Sequence, residues 1–94
     1  RKGNEIDICG QSKGALLLGE VLWRAKPVDY ADAAKFFEKR YLIDCTNEQR
    51  RNIVLFVVSK SGFEPKAHAY LKEHGIHCYD LKDIAKAYDA LPKK

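Results

Sequence analysis

Glu20 stands inside an otherwise apolar segment, Leu16-Leu17-Leu18-Gly19-Glu20-Val21-Leu22-Trp23. A carboxylate buried there without a partner costs several kcal/mol, so its position calls for a cation or an arginine nearby. Asp7 lies in the alternating run Glu5-Ile6-Asp7-Ile8-Cys9, where a solvated strand carboxylate accounts for it on its own. Taken together, two carboxylates on neighbouring strands outline a Mg²⁺ site, because Mg²⁺ takes hard oxygen ligands and usually one or two carboxylates plus waters. The other chemistry-bearing types are less organised. Cys9, Cys45 and Cys78 are an odd number without a CxxC pair and read as reduced core thiols. His74, His77 and Cys78 are close in sequence, but structural zinc wants paired ligands and no second pair exists. Neither a GxxxxGK[ST] phosphate loop nor a GxSxG nucleophile motif occurs.

The elements that must position these residues follow from periodicity. Residues 5–9 alternate as a half-buried strand, 10–14 form a hairpin loop of about five residues, and 15–23 return as a long apolar strand. With that loop, Cys9 faces Ala15 and Asp7 pairs with Leu17, which places Glu20 on the opposite face; a bulge at Gly19 is then needed to re-aim it. Residues 29–41 carry Tyr30, Ala33, Ala34, Phe37 and Tyr41 at helical spacing, with Asp29 and Asp32 at the start and Lys39 and Arg40 at the end to suit the helix dipole. Residues 44–52 read as a polar connection, with Arg50 and Arg51 solvated, and 53–59 as a central strand covered on both faces. A short helix opens at Glu64-Pro65 and ends before Gly75, 76–79 form a short strand, and Asp80 caps a last helix. The order β-β-α-β-α-β-α predicts an α/β fold, a mixed sheet with helices on both faces.

The chain has 94 residues, with 46% hydrophobic and 32% charged residues, which fits one small globular domain over 1–94 with a frayed tail at 92–94. A net charge of +4, thinly spread, permits nucleic-acid binding without requiring it. No apolar run approaches the roughly 20 residues of a membrane span, so a cytoplasmic location without membrane contact is expected. A start at Arg1 and the lack of any Met point to a piece of a larger parent chain.

Asn4-Glu5-Ile6-Asp7-Ile8, Gly19-Glu20-Val21-Leu22-Trp23-Arg24 with Pro27-Val28, and Val58-Ser59-Lys60-Ser61-Gly62-Phe63 resemble the C-terminal nuclease-like domain of archaeal-type ATPases, part of the PD-(D/E)XK or restriction-endonuclease-like superfamily. Residues 61–81 are also similar to Mrr-type restriction endonucleases. The resemblance implies a restriction-endonuclease-like core and a Mg²⁺-dependent phosphodiester site. In it, Asp7 matches the superfamily aspartate and Glu20 the acidic residue of the (D/E)xK element, both as catalytic residues and metal ligands. It further implies contact with DNA, and ATP bound only by an N-terminal ATPase domain of the same parent. Leu22 stands where the motif lysine should be, and the superfamily's first helix would precede Arg1. Weak or lost nuclease activity is therefore expected, with Lys13, Lys26 and Lys60 as candidates for a migrated lysine. The loop Lys60-Ser61-Gly62, before the helix at Pro65, is the expected contact with the DNA backbone. Trp23 is expected to pack in the core rather than stack on a base. The rival reading is a purely structural module that packs on the ATPase domain or forms a homodimer.

Overall fold

A computed structural model describes residues 5–92, so Asn4 and the tail residues Lys93 and Lys94 lie outside the described residues. Strands β1 (Glu5–Gln11) and β2 (Leu16–Leu22) form an antiparallel hairpin. Helix α1 (Tyr30–Lys39) runs on through a 3₁₀ turn, Arg40–Leu42, and is followed by α2 (Asn47–Arg51), β3 (Ile53–Ser59), α3 (Pro65–Glu73), β4 (His77–Tyr79) and α4 (Leu81–Ala90). The sheet order is β1-β2-β3-β4, with β3 parallel to both β2 and β4, so the chain is an α/β protein with a four-stranded mixed sheet flanked by helices.

The helix ends follow local rules. Asp29 caps α1 and Asp80 caps α4, each through a reciprocal capping box with the aspartate three residues on. Pro65 starts α3, and Gly75, at φ 72°, supplies the left-handed residue just beyond its end. One helix departs from the sequence reading. Residues 47–51 are not a plain connection but a short helix, because Thr46 and Gln49 form a second type of capping box, with Thr46 Oγ1 accepting from Gln49 N–H at 3.0 Å. Gln49 Nε2 then donates to Ser12 C=O at 2.7 Å, tying α2 to the hairpin loop.

The core lies on one face of the sheet. Leu18 and Leu22 of β2 and Leu55 and Val57 of β3 pack with Ala33 and Phe36 of α1 and Ala67 and Leu71 of α3. The expectation that β3 is covered on both faces is corrected. Val54, on the second face, is 45% exposed, while Leu55 next to it is 6% exposed. Helix α4 borders that second face at its β3–β4 end, where its residues Asp83, Ile84, Lys86 and Ala87 line a cavity with Val58 and Tyr79. No described helix is long and apolar enough to cross a membrane.

Candidate functional site

The hairpin brings the two carboxylates together without a bulge. β1 continues through Gly10 and Gln11, the turn is shortened to 12–15, and Gln11 pairs with Leu16. That shifts the register from the expected one, so Asp7 lies directly opposite Glu20 rather than Leu17. Directly opposed residues of an antiparallel pair share a face, with Cβ atoms about 5 Å apart. Ser12 holds the tight turn, its N–H donating to Ala15 C=O at 3.0 Å. Gly19 has a different use from the one expected. A Cβ there would sit 2.1 Å from Phe56, so the glycine seats the Phe56 ring against the second face of the sheet.

A third group completes the cluster. Lys39, in the last turn of α1, places Nζ 2.7 Å from Glu20 Oε2 and 3.3 Å from Asp7 Oδ1. Glu20 is 5% exposed, whereas the Asp7 side chain faces solvent. Burial disfavours the Lys39 ammonium, but the hydrogen bond and charge of Glu20, followed by those of Asp7, outweigh it and raise its pKa above the ordinary 10.5. The counter-charge that Glu20 requires thus comes from a helix about twenty residues downstream in the chain. In the sequence Lys39 reads only as a dipole complement at the helix end, and its spacing from Glu20 gives no local signal of the contact.

The candidate migrated lysines lie elsewhere. Lys26 pairs with Asp29 at 3.0 Å. This contact adds to the hydrogen bond from Asp32 N–H, which comes first in holding the Asp29 carboxyl down at about 2. Lys13 is exposed in the hairpin turn. Lys60 N–H donates to Leu22 C=O at 3.1 Å, which carries the loop past the end of β2. Leu22, where the motif resemblance expects a lysine, is 2% exposed and part of the core.

The structure places the Lys60-Ser61-Gly62 loop in tight contact with residues 24–28. Ser61 Oγ donates to Arg24 C=O, Ser59 Oγ donates to Gly62 C=O at 2.7 Å, and Val28 N–H donates to the same carbonyl at 2.9 Å. Gly62, at φ 84°, makes this turn possible. The loop borders a shallow cavity of about 210 Å³ together with Asp80, Leu81 and Lys82, at the start of α4 rather than of α3.

Other expectations change as well. Trp23 is 44% exposed and does not enter the core. Cys9 is exposed and Cys45 and Cys78 are half-buried, all three free, so none is a fully buried core thiol; burial pushes the Cys78 thiol up. Arg50 is structural, donating to Arg40 C=O at 2.7 Å and Ile43 C=O at 2.8 Å. His74 packs on Phe37 and Tyr70, whereas His77 stacks on Tyr79. Among the described residues no group of three or more His, Cys, Asp or Glu side chains is arranged to hold a metal.

The Asp7–Glu20 pair nevertheless fits a hard divalent cation in its donor chemistry. Two carboxylates share one face, and a positive charge is already held between them. Two carboxylates completed by water is a usual Mg²⁺ arrangement. No protein-family model matches the chain, and neither the curated proteins nor the solved structures contain a match to it.

Proposed function

We propose that this chain is a restriction-endonuclease-like domain that contacts DNA and retains a weak Mg²⁺-dependent phosphodiesterase site, with Lys39 in place of the motif lysine. The observation that carries this reading is the contact of one ammonium with both carboxylates that the sequence pattern singles out. Asp7 and Glu20 would hold the ion. The ion, when bound, would polarise a phosphoryl oxygen and acidify a water. Lys39 has two roles within the chain's own chemistry: it holds the two carboxylates in one orientation, and it offers a positive group beside the place where negative charge would develop. Leu22 and the packed core beneath Glu20 close that side of the site with apolar side chains. An ATPase domain N-terminal to this one in the parent, and a cytoplasmic setting, belong to the same proposal through the motif resemblance.

A structural module is the second reading, favoured by the same lysine. An ion pair satisfies Glu20 without any metal, and the domain would then serve to pack on its parent or on a second copy. Titration with Mn²⁺ and a plasmid-nicking assay in Mg²⁺ separate the two. The enzymatic reading expects Mn²⁺ binding that is lost in Asp7→Asn and Glu20→Gln. It also expects slow nicking that Lys39→Met removes without abolishing Mn²⁺ binding. No Mn²⁺ binding by the wild-type chain overturns it.

A further inference from the structure

Helix α1 carries more than Lys39 to this site. Asp32, Lys35 and Lys39 follow one another at helical spacing, and with Glu20 and Leu22 of β2 they enclose a cavity of about 140 Å³. That is several times the ~10–15 Å³ that admits one water, so the cavity has room for a ligand group. Its charges are unevenly matched. Asp32 is bound by the Arg24 guanidinium and accepts from Asp29 N–H at 3.0 Å. Glu20 is held by Lys39. Lys35 is exposed and enters no ion pair among the described residues, although it lines the same cavity.

Charge counting then gives a direction. Asp7, Glu20 and Lys39 together carry −1, Asp32 with Arg24 carries none, and Lys35 adds +1. A divalent cation at the carboxylates changes the total from neutral to +2, in a cavity partly screened from water where Coulomb terms exceed their bulk values. We propose that Lys35 binds a backbone phosphate of DNA in this cavity, and that the subsite takes up its anion once Asp7 and Glu20 hold a divalent cation. The inference rests on the cation-site reading above. Among the described residues Lys35 forms no ion pair with either carboxylate, so it is a substrate-binding group distinct from the ion's ligands.

The test is binding of a short fluorescein-labelled DNA duplex to the 94-residue chain in Ca²⁺ and in chelator, over a series of salt concentrations. Wild type is expected to bind more tightly in Ca²⁺. Lys35→Gln is expected to lower the slope of log K against log salt in Ca²⁺ by about 0.9, the value for one phosphate contact, with Lys35→Arg retaining it. Lys66→Gln, at an exposed position of α3, serves as the control and should leave the slope unchanged. A slope in Lys35→Gln equal to wild type overturns the proposal. So does equal duplex affinity in Ca²⁺ and chelator. Displacement of the duplex by thymidine monophosphate at low micromolar concentration would make a free nucleotide the ligand and overturn the assignment to backbone. Calorimetry with Mn²⁺ keeps the two readings apart. If Mn²⁺ binds both wild type and Lys35→Gln while the slope stays fixed, only the Lys35 inference falls; if wild type binds no Mn²⁺, the cation site falls and takes the subsite with it.

Discussion

Lys39 joins three segments that are distant in sequence: β1 through Asp7, β2 through Glu20, and its own helix. Removing an ammonium from a carboxylate that is 5% exposed costs more than losing a surface pair, which contributes at most about 1 kcal/mol, and less than the 3–5 kcal/mol of a fully buried pair, because the lysine itself is part-exposed. Lys39→Met should therefore destabilise the chain by about 1–3 kcal/mol in urea unfolding at neutral pH. The raised pKa of Lys39 gives this a pH signature. A group bound more tightly to its proton in the folded state contributes fully below its unfolded value of 10.5, and the contribution is lost as pH rises through the higher folded value. The stability difference between wild type and Lys39→Met should thus be flat from neutral pH to about pH 10 and shrink above it. A difference that instead grows with alkalinity would mean that the ion pair is not what the mutation removes.

At the scale of elements, much was legible and the failures have identifiable causes. The strand 53–59, the helices that begin at Pro65 and after Asp80, and α1 follow from β-branched runs, proline and aspartate caps and a 3.6-residue period, which are all local signals. The hairpin register was not, because it depends on the turn. A loop at 10–14 would displace every pairing, whereas the chain turns over 12–15 and α2 grips Ser12 from outside the hairpin. Helix α2 itself was within reach of the sequence, since Thr46 and Gln49 have capping-box spacing, but no apolar stripe accompanied it. Gly19 is needed for close packing, not for the bulge that the sequence pattern predicts. Its lack of a side chain serves the parallel β2–β3 pair, where Gly19 sits opposite Phe56 and the ring covers the backbone. Gly19→Ala forces a Cβ into that ring and should cost about 1–3 kcal/mol of overpacking strain. Combining it with Phe56→Leu should recover a large part of the loss. Additive losses in the double variant, measured by the same unfolding curves, would show that backbone conformation rather than the ring demands the glycine.

The whole molecule is built around one well-covered sheet face. On the first face Leu16, Leu18 and Leu22 are at most 4% exposed, while on the second Ile8, Leu17, Val54 and Tyr79 are between 38 and 45% exposed. The residues themselves do not announce this difference, since β2 and β3 are apolar on both sides, and the sequence pattern accordingly predicts that β3 is covered twice. Helix α4, although amphipathic, has no buried residue, and Leu81, Ile84 and Tyr88 stay between 40 and 65% exposed. The Cα radius of gyration of 14.0 Å exceeds the ~12 Å typical of a compact chain of this length, in keeping with a sheet packed chiefly from one side. Two neighbouring leucines then make an internal comparison. Leu18→Ala empties a site packed by α1 and α3 and should cost about 2–5 kcal/mol. Leu17→Ala removes a side chain already 40% exposed and should cost less than about 1 kcal/mol in the isolated chain. Near-equal losses at the two positions, under conditions where the chain is monomeric, would mean that the second face is buried in solution. Two further outcomes fit the one-sided core: a small loss at Leu17, and lower binding of a hydrophobic dye once Leu17 and Val54 are both replaced by threonine. The cluster of Asp7, Glu20 and Lys39 then stands on the packed face, where rigid support from α1 and the core holds its geometry.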